Sequence, residues 1–376
     1  MKVLLLGNPS MMHSHLSQGL RSLGHEVTLV SQRYGWRSFT GQDILLERRR
    51  DINSKLAFLL YLWQVIRLLP RWRGYDVVQL SHCGFLELRG WLVIPFYRYL
   101  RRHNRKVVLC SCDVDYHILD QIENHQALRY SEFQIGTVLR HNADVEPLRR
   151  QYTSGWNTGL SRHVSEDCDA IVPVLYEYWT CYDRVYPEKT HFIPLPVKMP
   201  NAAGRMPNAE RDRRNGTAKL KLFLGLQRDR MQIKGTDILL RAAKEVARDY
   251  PELCELRVVE NVPYTEYEKT MNDSDILIDQ LYSYTPAMNA LTAMSKGLVV
   301  VGGGEPENYE ILHEEELRPI INVLPTYEDV YATLTDLVRH PERIPELKQE
   351  SIEYVRRHHD HLKVARQYEA LYRSLL

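Results

Sequence analysis

The 376-residue sequence lacks three things that would each have fixed its class: a long apolar run, paired cysteines and a dominant charge. Its longest largely apolar stretch, Leu56 to Ile66, covers eleven residues, where a single bilayer-spanning helix needs about 20. The six cysteines, Cys83, Cys110, Cys112, Cys168, Cys181 and Cys254, form no CxxC pair, which argues against a disulfide framework and a structural zinc site and for a reducing compartment. Cys110 and Cys112 alternate at the end of an apolar strand and so share a face, reading as small core residues rather than a redox couple. The net charge of +1 and the absence of a recognised binding motif set nucleic acid aside as a partner.

What is present fits a two-domain globular chain, with 44% hydrophobic and 26% charged residues. The apolar run after Met1 reaches its turn at Gly7 at once, so it reads as a first buried strand rather than an export signal. Charge is unevenly spread. Residues 1–110 carry 17 Lys and Arg against 6 Asp and Glu, and the remainder carries 32 against 42. The basic residues cluster beside apolar ones at Glu47-Arg48-Arg49-Arg50, at Arg67 to Arg73 and at Tyr97 to Arg102. That mixture suits an anionic membrane surface or plain solvated helix faces, so a cytoplasmic protein is expected, with contact at the inner membrane face as one of the two readings.

Strand-like runs at Val3 to Leu6, Val27 to Val30, Val77 to Leu80, Val107 to Leu109 and Ala170 to Val174 alternate with helical stretches. This predicts an α/β fold with a doubly wound parallel sheet. The segment from Ile118 to His163 is too long for an ordinary crossover and reads as a helical, aromatic insertion that anchors itself. From Pro194 to Lys219 the composition shifts to Pro, Asn, Gly and Arg. The alternation then restarts at Leu220, giving two Rossmann-like domains facing each other across a cleft. The predicted divisions are 1–195, a linker over 196–218, a second domain over 219–355, and a terminal helix over 356–376 that packs back on the first domain. Ligands in such sheets bind beyond the carboxyl ends of the strands.

The most informative segment runs from Asp275 to Gly304: a buried strand, a loop, a helix, a second strand and a glycine turn. Thr285 is placed to cap that helix, Pro286 suits its first position and Gly297 its left-handed exit. Its free N-terminal amides and positive dipole end make a phosphate site.

Three strand-end features converge: Gly225-Leu226-Gln227-Arg228 leading to Lys234-Gly235, the helix beginning at Pro286, and Gly302-Gly303-Gly304-Glu305-Pro306-Glu307. Together they resemble the donor-binding domain of glycosyltransferases with the GT-B fold, in particular the large retaining family whose pattern is strand, Gly-Arg, then Lys-Gly opening a helix. The likeness is specific mainly from Leu220 to Glu310. It implies that Arg228 and Lys234 hold a donor diphosphate and stabilise it as the leaving group. It places Gly225, Asp279, Tyr284, Ala287, Met288, Asn289, Thr292 and Glu307 on the donor side. The family's glutamate pair falls at Tyr284 and Thr292, and its central histidine at Cys112 beside Asp113. On the acceptor side stand Asn8, Ser10, Cys112 and His13, the last as a candidate base. The resemblance implies a nucleotide-diphosphate sugar as substrate, a glycan or lipid-linked acceptor, transfer with retention, and no metal or other cofactor. The alternatives are a homologue that binds a sugar nucleotide or a partner without turnover, and a nucleotide-sugar epimerase or phosphorylase on the same fold.

Overall fold

Near-continuous apolar runs make buried parallel strands because both faces of a parallel sheet are covered by helices. The computed structural model describes residues 1–32, 41–49, 51–200 and 219–376, so Arg50 and most of the expected linker, 201–218, lie outside the described residues. In the first lobe, β1 (Lys2–Leu6), β2 (Glu26–Gln32), β3 (Ile44–Leu46), β4 (Val77–Leu80) and β5 (Lys106–Ser111) join β8 (Ala170–Pro173) in a six-stranded sheet of order 3-2-1-4-5-8. All its pairings are parallel, with Leu5 level with Leu29 on one side and Gln79 on the other. In the second lobe, β9 (Leu220–Leu226), β10 (Cys254–Glu260), β11 (Ile276–Ile278), β12 (Val299–Gly302) and β13 (Ile321–Asn322) form a parallel sheet of order 10-9-11-12-13. Both orders are those of doubly wound nucleotide folds.

Helix α1 (Met12–Ser22) covers one face of the first sheet, and α2 (Ser54–Leu68) and α3 (Gly90–His103) cover the other. The insertion expected to be helical is interrupted. Between α4 (Tyr116–His125) and α5 (Val145–Thr153) lies an antiparallel hairpin of β6 (Gln134–Ile135) and β7 (Val138–Leu139). Its strands are too short to carry a period-2 signal in the sequence. Helices α6 (Gly155–Asp167) and α7 (Tyr176–Val185) complete the lobe.

The second lobe contributes the single turn α8 (Met231–Lys234), then α9 (Thr236–Asp249), α10 (Tyr264–Asn272), α11 (Met288–Ser295), α12 (Pro306–Ile311), α13 (Tyr327–Arg339) and α14 (Ile344–Tyr354). A π-helical turn over Val355–His359 leads to Asp360, whose carboxylate accepts from the amides of Leu362 and Lys363 and so starts α15 (His361–Leu375).

The chain crosses between lobes twice, and the two crossings are paired. The Val197 amide donates to His359 O at 2.6 Å, and the His361 amide donates to Val197 O at 3.0 Å. One core cluster then runs continuously from Met12 and Leu16 of α1, through Met288 and Leu291 of α11, to Tyr354, Tyr368 and Tyr372. The last helix lies on α1, where Gly19 has no room for a side chain: an added Cβ would sit 2.4 Å from His361 O and 2.7 Å from Ala365 Cβ. Gly19→Leu is therefore expected to push α15 off α1 and to cost about 1–3 kcal/mol, the usual penalty of overpacking. Denaturant unfolding and amide exchange over 361–375 measure both effects.

Candidate functional site

A cavity of about 650 Å³ opens between the carboxyl ends of the two sheets, lined from both lobes. Gly225, Lys234, Asp279, Tyr284, Ala287, Met288, Asn289 and Thr292 line it from the second lobe, and Ser10, Cys112 and Asp113 from the first. Arg228, Glu307, His13 and Asn8 are not among its lining residues.

Each displaced residue has a physical reason. After β9 the chain makes a 3-10 turn over Arg228–Arg230 before α8, which turns Arg228 outward. Its side chain is 76% exposed and ion-paired with Glu260. Arg230, two residues on, is the arginine that lines the cleft. Gly235 ends this loop at φ +69°, and a Cβ there would lie 2.7 Å from Leu281 Cβ and 2.8 Å from the Tyr282 ring, so glycine alone fits the close approach that places Lys234. The loop is held from the opposite lobe, where Asp144 accepts from the Gln232 amide at 2.9 Å and the Arg140 guanidinium lies 3.6 Å from the centre of the Tyr282 ring.

His13 is fully buried, with Nδ1 2.6 Å from Gly7 O and Nε2 3.0 Å from Gln79 Nε2. Both ring nitrogens are engaged inside the sheet, which removes it as a base facing the cleft. Asn8 turns inward to close α1, its Oδ1 accepting from the Ser14 amide and its Nδ2 donating to Ser14 Oγ. Ser10 and Met11, at φ 48° and 65°, hold the left-handed conformation that non-glycine residues rarely adopt, at the cleft rim.

Glu307 and its neighbour Glu305 are committed to a clamp between the lobes. Arg129 donates to both carboxylates, and Tyr130 donates to Glu305 at 2.6 Å. Tyr284 belongs to the same clamp. Its hydroxyl accepts from the Arg129 amide at 2.7 Å, and its ring packs on Tyr130 and Tyr176; burial pushes the phenol up to about 12.

The helix expected to begin at Pro286 also starts later than its sequence signals predict. Thr285 does not cap it, because Thr285 Oγ1 donates to Glu177 Oε2 at 2.6 Å while Ser283 donates to Glu177 Oε1 at 2.9 Å. Helix α11 begins at Met288 instead of Pro286, behind Ala287, which supplies no side-chain cap. Its exit is as expected, with Gly297 at φ +85°. The first-turn amides, bordered by Ala287, Met288 and Asn289, thus meet the cleft without a capping side chain, an arrangement that attracts anions. Beside them a polar chain runs from Tyr267 through Asn289 to Asp279, with bonds of 3.0 and 2.7 Å. Thr292 donates its hydroxyl to Met288 O at 2.7 Å.

The first-lobe wall is acidic. Asp113 and Glu177 line it, as does Glu132 from the insertion. Burial pushes the Glu132 carboxyl up to about 7 against the pull of Arg230 and Lys234. Burial also raises Glu177 and Asp279, the hydroxyl bonds of the first and the Asn289 bond of the second opposing it. Sequence reasoning missed Arg230, Glu132 and Glu177. Only Arg230, adjacent to the chosen motif, had a local signal; the carboxylates come from segments read as scaffold. A carboxyl whose native value lies above its unfolded one adds no penalty at low pH and destabilises once ionised. Glu132→Gln should therefore raise stability by on the order of 1 kcal/mol near pH 8 and leave it unchanged near pH 4, as thermal unfolding across that range will measure.

By sequence the chain matches no family model and no curated protein. By structure it resembles sucrose-phosphate synthase from Thermosynechococcus elongatus, at 14% identity and a TM-score of 0.63 over 100% of this chain and 99% of that one. It also resembles HepE from Anabaena in complex with UDP-glucose, at 11% identity and 0.61 over 100% of both. A UDP-N-acetylglucosamine 2-epimerase matches at 9% identity and 0.54, over 98% of this chain and 94% of that one. Two facing parallel sheets, paired crossings and a terminal helix returned to the first lobe give this chain a GT-B, glycosyltransferase-like fold.

Proposed function

We propose that the chain is a glycosyltransferase that takes a sugar from a nucleotide-diphosphate donor to a glycan or lipid-linked acceptor. The observation that carries this reading is the uncapped start of α11 meeting the cleft beside Arg230 and Lys234. In this reading the amides and the two cations receive the diphosphate. They stabilise the charge that grows on it as the sugar-phosphate bond breaks. HepE in complex with UDP-glucose shares the fold over the whole chain, which supports such a donor here. Asp279, Asn289 and Thr292 border the donor-sugar and ribose side, and the hydroxyls of Tyr284 and Thr292 stand where the resembling family has its glutamates. The acceptor approaches past Ser10, Cys112 and Asp113. With retention, the acceptor hydroxyl attacks on the face the leaving diphosphate occupies, and its proton passes to that phosphate oxygen, so no protein nucleophile is required.

A second reading has its own observation. Asp113 and Glu132 on the facing wall, the latter with a carboxyl near neutrality, suit proton transfer at a sugar carbon. The likeness to a 2-epimerase fold supports it. Deuterium from D2O appearing at a sugar carbon of a nucleotide sugar selects this reading; a new glycosidic bond without label selects transfer.

A panel of nucleotide sugars is expected to raise the melting temperature of the protein. Lys234→Ala and Arg230→Ala should each weaken the responding donor about tenfold or more, near 1.4 kcal/mol. Arg228→Ala, whose partner is Glu260, should leave affinity within about twofold. Titration calorimetry measures all three, and an unchanged Kd in Lys234→Ala would remove the diphosphate site. Stabilisation without turnover on any acceptor would leave a binding protein.

A further inference from the structure

Among the described residues, helix α2 is anchored by one side only. Ala57, Tyr61 and Val65 are buried against the first sheet, and the Tyr61 hydroxyl donates to Leu86 O at 2.8 Å. Leu56, Leu59, Trp63 and Ile66 are 50, 59, 56 and 51% exposed. Spacings of three, four and three residues bring these four onto one stripe, about 15 Å long at the helical rise. Isolated exposed apolar residues need no explanation, but four large ones in a single row do.

The rim of the stripe is basic. Lys55 and Arg67 flank it on the helix itself, and Arg67 lies 5.3 Å over the Trp63 ring. Arg48, exposed, lies 5.7 Å over Phe58, and Arg71 and Arg73 are exposed just beyond the helix. Over residues 47–73 the sequence holds seven Lys and Arg against two Asp and Glu, and one of those acids, Asp51, is paired with Arg49.

We propose that α2 docks this protein flat on an anionic lipid surface, its apolar stripe entering the headgroup boundary and its basic rim meeting lipid phosphates. Each feature answers one property of such a surface: a tryptophan and aliphatic row for the apolar boundary, and cations for the negative headgroups. A second copy of the chain fits less well, since pairing two such stripes would set one basic rim against another. This inference stands apart from the sugar-nucleotide reading, because α2 contributes no residue to the cleft.

The test is co-sedimentation of the full chain with vesicles of equimolar phosphatidylcholine and phosphatidylglycerol, and with phosphatidylcholine alone. Binding to the anionic vesicles, released by salt, is expected. Leu59→Ser with Trp63→Ser should lower the bound fraction about tenfold, as should Lys55→Glu with Arg67→Glu. Melting temperature and the nucleotide-sugar response should stay at the parent values in both, which separates this failure from failure of the cleft. Equal binding by parent and variants, or equal binding to uncharged vesicles, overturns the proposal. So does a dimer, seen by sedimentation velocity without lipid, that the Leu59 and Trp63 substitutions dissociate.

Discussion

The two hydroxyls that Glu177 accepts hold the rest of the site in place. A carboxylate on α7 of the first lobe takes Ser283 and Thr285 of the second. It thereby removes Thr285 from the capping position that its sequence context favours. Helix α11 then starts at Met288, with no side chain capping its leading amides and with Ala287, Met288 and Asn289 lining the cleft. A buried carboxyl is costly unless it is well bonded, and these two donors offset that cost. One interaction thus both ties the lobes together and leaves the start of α11 without a side-chain cap.

The other contacts between lobes serve the same geometry from further out. Arg129 and Tyr130 grip Glu305 and Glu307 at the start of α12, while the Glu305 amide donates to Tyr284 O at 3.1 Å. Asp144 holds the Gln232 amide in the loop that carries Arg230 and Lys234. Two insertion segments, one at Arg129 and Tyr130 and one at Asp144, therefore hold the loops of the opposite lobe that follow β12 and β9. The segment between β5 and α6 is less an anchor for itself than a brace for the facing loops of the second lobe. Phosphate-binding groups gain most from being held before the ligand arrives, since ordering them is then no part of the binding step.

The alternation of apolar runs and turn residues was enough to place both sheets, because buried parallel strands such as Val3 to Leu6 and Val299 to Gly302 carry a signal independent of context. Short edge elements were not legible. Ile44–Leu46, Ile321–Asn322 and the Gln134 to Leu139 hairpin have too few residues to show a period, and pairing decides their conformation. Residues lining the cleft were legible around the start of α11, as at Ala287, Met288 and Asn289. Candidates were misplaced where a side chain had a competing partner. Arg228 went to Glu260, Glu307 to Arg129, Asn8 to Ser14 and His13 to Gln79, and none of those partners is visible from local spacing.

Charge shows the same gap between sequence total and local geometry. Residues 1–195 carry 24 Lys and Arg against 19 Asp and Glu, yet the cleft wall of the first lobe presents Asp113, Glu132 and Glu177. The remainder of the chain is acidic overall, yet its wall presents Arg230 and Lys234. At physiological salt, exposed charges more than about 8 Å apart are largely screened, so the lobe totals contribute little inside the crevice. The cations and carboxyls that face each other there set its field. The basic excess of the first lobe instead collects on exposed helix faces away from the cleft, around α2 and the last turn of α3, where Arg101 and Arg102 follow Tyr97. A sugar-transfer cleft working on a lipid-linked acceptor would need that separation, with the basic groups that meet a surface kept apart from the cations that hold the donor phosphates.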